Sequence, residues 1–353
     1  MKTYDLQNHP GPLIGILAGN GKNRSVVGNG PFFKELQKEI LKDGGLSVVF
    51  TPIDINEREK EIKGFVYSPE QDQWSLVTCP LPHVVFNRVP FRSLESTDSF
   101  RDAYHYFQRH RIPFFNPSFL NKYELFQILS MDPILQSFLP DTTAINEDTS
   151  LQSFLEKHQR IYLKPIYGAK GKGIYMIRLS KDQTIRLNAI TFEQTFKDFH
   201  AFWKEWGESL LKKIYIAQEA IEPSLFQGKR YDFRVLAHFS EACYQVTGIG
   251  VRQAGDQEIT THIPNGGCLI PYEGIQSAEH DLFFAMIVKR AGELLSKEKG
   301  FFAEFSIDAG ISVDGKYVLY EINSKPMRFD EPEIEEKRLR TLSQMFIKMA
   351  SNH

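Results

Sequence analysis

The sequence has few cysteines, no long apolar run and almost no net charge, and each of these absences excludes a class of protein. Only three of its 353 residues are cysteine, without the paired spacing of a zinc site or a disulfide framework, which fits a reducing, cytoplasmic compartment. No apolar run approaches the ~20 residues that span a bilayer, and residues 1–12 lack a signal-peptide pattern, so we predict no membrane insertion. The 42 Lys and Arg residues nearly balance 44 Asp and Glu residues, which argues against a general nucleic-acid binder.

The chain is too long for one hydrophobic core and alternates strands with helices. Hydrophobic residues make up 42% of the chain, and 28 residues are Phe. This is enough to build two or three domains around a cleft. Its first third predicts an open α/β domain over residues 1–115, and the remainder predicts α+β domains over residues 116–213 and 214–353. A helix is predicted over residues 192–212 from the helical spacing of Phe192, Phe196, Phe199, Trp203, Trp206 and Leu210.

Residues 302–323 predict a β-hairpin that places two carboxylates opposite each other. A two-residue turn at Asp314-Gly315 sets a register in which Asp308 faces Glu321 and Asn323 shares their side. Two charges roughly 5 Å apart repel by about 3 kcal/mol at an effective dielectric constant near 20. A hard cation bound by carboxylate and amide oxygens removes this repulsion, so we predict one or two Mg²⁺ ions, with Mn²⁺ as an alternative. A solvated polar face without a ligand is the other interpretation. The apolar face of the hairpin is predicted to carry Phe305, Ile307, Ala309, Ile311, Val318, Tyr320 and Ile322.

A glycine- and lysine-rich segment over residues 164–173 predicts a phosphate-binding lid. Its glycines let backbone amides approach a polyphosphate, and its lysines supply positive charge. The segment is not a P-loop, because it lacks the Lys-Ser or Lys-Thr pair and a strand follows it instead of a helix. A glycine-rich hairpin turn with solvated lysines is the alternative. The residues concerned are Lys164, Gly168, Lys170, Gly171, Lys172 and Gly173.

Charged residues on later strands add candidates for a nucleotide site. Residues 218–220, Gln-Glu-Ala, end a strand whose backbone edge can meet a purine. Asp232 and Arg234 alternate on one face of the next strand, and Arg252 ends the strand after it. The permanently charged fork of arginine stabilises charge that develops on a phosphoryl group, whereas surface ion pairing is the alternative for all three residues.

The order of these features resembles the ATP-grasp superfamily over roughly residues 116–330. The order is a lysine at position 122, a strand lysine with a glycine lid, a Gln-Glu hinge, an Asp-x-Arg strand, an Asn-Gly-Gly turn and Glu-x-Asn. The segments at residues 86–90, Phe-Asn-Arg-Val-Pro, and 321–326, Glu-Ile-Asn-Ser-Lys-Pro, further resemble the YheC/YheD endospore coat-associated family over nearly the whole chain. One departure is His262, where many relatives have Asn. The resemblance implies an ATP-grasp fold with an N-terminal, pre-ATP-grasp-like α/β domain.

The same resemblance implies a role for each candidate residue. ATP is the expected nucleotide and Mg²⁺ the expected metal, with Asp308, Glu321 and Asn323 as metal ligands. Nucleotide contacts are expected from Lys122, Lys164, Gly168, Lys170, Gly171, Gly173, Gln218, Glu219, Ala220 and Asp232. Arg252 and, less directly, Arg234 would face the transferred phosphoryl group. Three cations predicted to face the cleft, Arg88, Lys325 and Arg328, are candidates for gripping a substrate carboxylate.

ATP-grasp enzymes join a carboxylate to an amine or a thiol through an acylphosphate, and this is the activity that the resemblance implies. The substrate would be a small molecule or a peptide, and the family indicates a link to sporulation and the spore coat. Two alternatives remain open: a nucleotide-binding structural spore protein without turnover, and a phosphotransferase acting on a small hydroxyl compound. The sequence indicates neither the substrates nor the oligomeric state.

Overall fold

Three large β-sheets follow one another along the chain in a computed structural model, which describes residues 11–22, 25–168, 172–255 and 266–351. Helices pack on the sheets, and the mixed α/β and α+β class predicted from the sequence is confirmed. None of the helices in the described ranges is long and apolar enough to cross a membrane.

The first sheet is the open α/β domain expected at the N-terminus. Its central strand pairs in parallel with two neighbours, and antiparallel strands extend one edge. The strands in this part of the chain are β1 (Leu13–Leu17), β2 (Gly19–Asn20), β3 (Val26–Val27), β4 (Leu46–Phe50), β5 (Ile55–Asn56), β6 (Glu61–Ser68), β7 (Gln73–Pro80), β8 (Val84–Asn87) and β9 (Phe114–Phe115). The helices are α1 (Gly30–Lys42), α2 (Arg92–Glu95) and α3 (Asp98–Arg109). In the main sheet the order is β5-β6-β4-β1-β8-β9, with β7 beside β6, while β2 and β3 pair separately.

The second sheet is antiparallel and carries the predicted lid. Its strands run in the order β10-β15-β11-β12-β13-β14. This region contains α4 (Lys122–Leu129), α5 (Pro133–Gln136), β10 (Thr142–Ala144), α6 (Asp148–His158), β11 (Arg160–Pro165), β12 (Tyr175–Leu179), β13 (Ile185–Asn188), β14 (Glu193–Phe196), α7 (Phe199–Lys212) and β15 (Tyr215–Glu219). The lid segment connects β11 to β12.

The helix predicted over residues 192–212 is wrong in its N-terminal part. β14 occupies that part and pairs with β13, and α7 begins only at Phe199. Asp198 sets this start, because its side chain accepts a hydrogen bond from the Ala201 N–H at 2.8 Å. Phe196 is buried from a strand instead of a helix. A run of aromatic residues fits either period when it crosses the end of one element and the start of the next.

The third sheet contains the predicted acidic hairpin. Its strands run in the order β19-β18-β17-β20-β21, with β16 paired to β17. This part of the chain contains β16 (Leu225–Phe226), β17 (Lys229–Ser240), β18 (Cys243–Gln253), β19 (Cys268–Ile270), α8 (Ala278–Lys299), β20 (Glu304–Ile311), β21 (Tyr317–Asn323) and α9 (Pro332–Ala350).

Side-chain packing crosses the domain boundaries predicted from the sequence. α4 and α5 precede the second sheet in the chain, yet Leu125 and Leu135 lie in the core of the third sheet. α9 is the last helix, yet Leu342 and Phe346 pack in the core beside β1 and β8. The division into residues 1–115, 116–213 and 214–353 therefore remains a proposal about folding units, whereas the hydrophobic cores join parts of the chain distant in sequence.

A buried carboxylate ties the third sheet to the first. Glu304, the first residue of β20, is 0% exposed. Its oxygens accept one hydrogen bond from Arg88 Nη1 at 2.9 Å and two from the Arg338 guanidinium on α9, both at 2.7 Å. Burial alone would raise the pKa of Glu304, but Arg338, His238 and Arg88 together lower it far below its ordinary value. The carboxylate is therefore charged and stabilised by cations from two other elements.

Replacing Glu304 with Gln should lower the free energy of unfolding by about 3–5 kcal/mol, because Arg88 and Arg338 would stay buried without their counter-charge. Urea denaturation followed by circular dichroism measures the change. Glu336→Gln is the control, since Glu336 forms an exposed pair with Arg340 at 2.9 Å on the same helix and should leave the curve nearly unchanged. Equal decreases in the free energy of unfolding of the two variants would contradict a stabilising role for the contacts of Glu304 with Arg88 and Arg338.

Candidate functional site

The β20–β21 hairpin brings Asp308 opposite Glu321, as predicted, but its turn differs from the prediction. The Ser312 N–H donates to the Lys316 carbonyl at 2.8 Å, so the loop has one residue more than the predicted two-residue turn. Gly315 ends this loop with a φ of 76°, a left-handed conformation that glycine adopts without strain. The predicted turn is therefore wrong, although the carboxylate pair is correct.

A bulge at Tyr320 restores the pairing that the longer turn would have shifted. Leu319 faces Ala309 and Glu321 faces Asp308, which leaves Tyr320 as the extra residue. Leu319 consequently joins the buried core. A side chain at Gly310 would lie 2.6 Å from the Tyr320 hydroxyl, so glycine makes room for the displaced tyrosine. The bulge shows that the placement of Val318 and Tyr320 on the apolar face is wrong.

One face of the third sheet gathers charged residues from four strands. Strand pairing places Arg234 opposite Asp308 and Arg252 opposite Asp232. Arg252 is 5% exposed, its Nε donates to Asp232 Oδ1 at 2.8 Å, and its Nη2 lies 3.2 Å from Asp308 Oδ1. Burial would lower the pKa of Arg252, but Asp308 and Asp232 raise it above its ordinary value. Arg252 is thus a fixed positive charge that contacts a candidate metal ligand.

Arg234 has a different environment from Arg252. Its guanidinium donates to the carbonyl oxygens of Met327 at 2.9 Å and Arg328 at 3.3 Å. It also lies 4.3 Å from the ring centroid of Phe329, and burial lowers its pKa. Arg234 therefore anchors the segment that follows β21, and its contact with a phosphoryl group stays a prediction.

Two lysines face the carboxylates from the other side of the cleft. Lys122, the first residue of α4, forms an ion pair with Glu321. Lys164, on β11, donates to the Gln218 side-chain oxygen at 2.5 Å. Burial and the charge of Lys122 lower the pKa of Lys164 to about 8, against the opposing effects of Glu321 and Asp308. Lys164 and Gln218 of the second sheet line the same cavity as Glu321 of the third, so the two sheets share one cleft.

An apolar slot lies beside these charges, between α4, β15 and β21. Apolar side chains and polar residues line it together, and the polar residues can bind anionic groups. The apolar lining consists of Leu125, Phe126, Leu129, Leu139, Ile216, Leu319 and Tyr320, and the polar lining consists of Lys122, Lys164, Gln218 and Glu321.

The predicted hinge, residues 218–220, lies at the end of β15 beside this slot. The Ala220 N–H donates to the Arg160 carbonyl at 3.1 Å, and the Ala220 carbonyl accepts from Arg160 Nη2 at 3.2 Å. The Glu219 N–H donates to the Asp141 carbonyl at 2.8 Å. Both backbone polar groups of Ala220 are therefore engaged within the protein, which counts against a base contact through them. That contact stays a prediction.

The ends of the predicted lid are described, but its centre is not. The Gly168 N–H donates to the Pro165 carbonyl at 3.0 Å, and Gly173 has a φ of 73°. Lys170, Gly171 and His262 lie outside the described residues. Their predicted contacts with phosphates remain expectations from the sequence.

Two of the three predicted substrate cations are occupied by carboxylates of the chain itself. Arg88 binds Glu304, and burial lowers its pKa to about 10. The Lys325 ammonium lies 2.5 Å from Glu95 Oε1, and burial lowers its pKa to about 8. Arg328 is exposed. It lines a surface pocket with residues of α1 and α9, Lys38 and Arg340 among them. A substrate role for all three remains a prediction.

Arg92 is a cation near the cleft that the sequence analysis did not identify. Its Nη2 donates to the Leu120 carbonyl at 2.7 Å, and its guanidinium lies 5.2 Å from the ring centroid of Tyr167 at the base of the lid. Burial lowers its pKa, against the opposing effects of Glu95 first and of Tyr167, Glu124 and Glu321 after it. The available signal was its position two residues after the segment 86–90 that the family resemblance marked.

The chain was compared with known protein families and structures. The family model described as YheC/D like ATP-grasp matches residues 111–351. Endospore coat-associated protein YheD of Bacillus subtilis (strain 168) is 29% identical over 348 residues, which cover 94% of this chain and 76% of YheD. The resemblance inferred from the sequence is confirmed.

Solved structures with similar folds include ligases. The ATP-grasp ligase PsnB, in complex with a minimal precursor, Mg and ADP, aligns with a TM-score of 0.53 and 13% identity over 96% of this chain and 98% of its own. D-alanyl-alanine synthetase A from Vibrio cholerae O1 biovar eltor str. N16961 aligns with a TM-score of 0.54 and 11% identity over 97% of this chain and 98% of its own. At these identities the comparison shows the ATP-grasp fold.

Nucleotide binding at pH 8 should take up protons through Lys164. Its pKa of about 8 leaves it partly neutral in the free protein, and phosphates beside it would favour the charged form and raise that pKa. Calorimetric titration with Mg-ADP in buffers of different ionisation enthalpy measures the uptake. We expect proton uptake at pH 8 that is lost in Lys164→Gln. At pH 6 Lys164 is already protonated in the free protein, so the variant and the original protein should take up the same number of protons. Identical uptake at pH 8 would show that another group is responsible.

Proposed function

The chain belongs to the YheC/D-like ATP-grasp family, and from this premise we propose that it is an ATP- and Mg²⁺-dependent ligase. In this proposal it joins a carboxylate to an amine or a thiol through an acylphosphate and forms ADP. The observation that carries the proposal is the cleft itself, where the acids of one hairpin face buried cations from two sheets beside an apolar slot.

The residues of the hairpin fit a divalent metal. Asp308 Oδ1 is buried and has no well-formed hydrogen bond, although Arg252 Nη2 is 3.2 Å away. Asn323 follows Glu321 by two residues on the same face, so its amide can add a third oxygen. The described residues contain no group of three or more His, Cys, Asp or Glu side chains suited to a metal, so a site here needs this amide oxygen as well as the two acids.

The cations of the cleft fit a polyphosphate. Lys164 approaches from the second sheet, Lys122 from the start of α4 and Arg252 from the third sheet, so phosphates among them would meet positive charge on more than one side. A bound metal would neutralise phosphate charge. Arg252 is suited to stabilising charge on the transferred phosphoryl group, because Asp232 and Asp308 fix its orientation and keep it protonated. In the reaction, a substrate carboxylate oxygen attacks the γ-phosphorus and releases ADP, and the amine or thiol then displaces phosphate at the acyl carbon.

Product analysis tests the proposed activity. The protein should convert Mg-ATP and acids in a metabolite extract of a spore-forming cell into ADP, phosphate and a condensed product, identified by mass spectrometry. Asp308→Asn should form no such product, because it removes one anionic metal ligand and one partner of Arg252. The proposal fails if the two proteins give the same products.

The two alternatives predict different outcomes of that analysis. A structural protein that only binds nucleotide would release no ADP that depends on Asp308 and Glu321. A phosphotransferase would give a product that retains the phosphate. YheD is named as endospore coat-associated, and we extend a link with sporulation to this chain on the basis of that similarity. A cytoplasmic location remains a prediction.

Arg328 and Arg92 are the cations that we propose for gripping the substrate acid, which by analogy with the ligands of PsnB can be a peptide. Changing either residue to Gln should raise the Michaelis constant for the acid by about tenfold, the effect of losing one charge-assisted hydrogen bond. The Michaelis constant for ATP should stay within about twofold, because neither residue lies among the nucleotide contacts. Arg186→Gln is the control, because Arg186 forms only an exposed pair with Glu193 and lines neither the cleft nor the pocket of Arg328. Unchanged kinetics for the acid would exclude the residue concerned.

A further inference from the structure

A histidine behind the cleft braces the strand end that borders the apolar slot. His158, the last residue of α6, donates from Nε2 to Asp141 Oδ2 at 2.9 Å, and its Nδ1 lies 3.7 Å from Glu219 Oε1. The Glu219 N–H donates in turn to the Asp141 carbonyl at 2.8 Å. We call these three residues, Asp141, His158 and Glu219, the hinge brace.

The hinge brace lies on the face of the sheet opposite the slot. Gln218 lines the slot, and since side chains alternate along a strand, Glu219 points to the other face. The His158 ring packs on that side against Phe154, with ring centroids 4.5 Å apart. His158 therefore does not reach a molecule in the slot directly, and any effect on one must pass through the backbone of β15.

The backbone that the brace holds is the edge that borders the slot. In a strand, the N–H and C=O of one residue point to the same side, so the Glu219 carbonyl faces the Asp141 side of β15. Leu139, two residues before Asp141, lines the slot. β11 pairs with the other side of β15 along its length, but β10 is only three residues long and gives few ladder bonds on the Asp141 side. The brace therefore adds a side-chain constraint on the side of β15 that the Glu219 carbonyl faces.

We propose that His158 is a positioning residue for recognition of the nucleotide base. It holds Asp141 and Glu219 together from behind and so fixes the edge of β15 that meets a purine. This inference rests on the proposed function, because it requires a nucleotide in the cleft. Lysines 122 and 164 and the acidic hairpin are separate from the brace, so loss of His158 should weaken discrimination between bases more than contact with phosphates.

Calorimetry with Mg-ADP and Mg-IDP, which differ only in the base, tests the proposal. His158→Phe keeps a ring against Phe154 but removes both nitrogens. It should weaken Mg-ADP binding by about tenfold, the loss of one hydrogen bond to a carboxylate, and change Mg-IDP binding by less than about threefold. The Mg-ADP affinity of His158→Gln, which keeps one N–H donor, should lie between those of His158→Phe and the original protein. Thermal midpoints confirm that each variant is folded.

Lys157→Gln is the matched control. Lys157 contacts the same Asp141 oxygen at 2.6 Å from a position that is 65% exposed, so its loss should leave both affinities within about twofold. Equal weakening of Mg-ADP and Mg-IDP in His158→Phe would overturn the inference, as would an original protein that binds the two equally. Absence of binding to either nucleotide by the original protein would instead overturn the proposed function.

Discussion

The structure depends on one buried carboxylate, Glu304, and the cations that surround it. Arg88 comes from the end of the first sheet and Arg338 from the last helix, so one charge holds together elements more than 200 residues apart. Asn116 adds to this junction, because its side chain binds the backbone of Ala303 at 2.8 Å and of Glu304 at 2.7 Å. Four residues beyond Glu304, on the same face of β20, lies Asp308. The position of the candidate metal ligand is therefore coupled to the packing of the N-terminal sheet.

The charges in the cleft form pairs that can be exchanged for a ligand. Lys122 pairs with Glu321, and Arg252 pairs with Asp232 and Asp308. An isolated buried charge is costly, so this internal pairing keeps the free protein stable. A metal ion and a polyphosphate arriving together can take over both sets of charges, the metal on the acids and the phosphates on the cations. In the proposed function, the acids and the cations therefore have partners in both states: each other in the free protein, and the metal and the phosphates in the complex.

The sequence predicted much of this arrangement, and its errors have identifiable physical causes. The alternation of strands and helices predicted the open α/β domain at the N-terminus, which the first sheet forms. Helical periodicity failed at residues 192–212, where the stripe of aromatic residues crosses a strand and a helix. The pair of Asp308 and Glu321 was predicted from a turn that is one residue too short, and the bulge at Tyr320 cancelled that error. The partners of Arg88 and Lys325 could not be predicted from the sequence. Glu304 lies 216 residues from Arg88, and Glu95 lies 230 residues from Lys325.

The segment of residues 321–326 shows why family motifs alone misassign roles within such a cleft. Glu321 and Asn323 face the site, but Lys325 is held by Glu95, and the Pro326 carbonyl accepts from Arg88 at 3.1 Å and Arg338 at 3.1 Å. The first half of the motif therefore contains the predicted metal ligands, and the second half forms the junction with the first sheet. Both halves would be retained together for different reasons, so a shared motif cannot separate a ligand-binding residue from a structural one. Burial and charge partners help to do so: a cation that forms an ion pair with a buried carboxylate stabilises the fold, whereas Arg92, which forms no such ion pair among the described residues, stays a candidate for binding substrate.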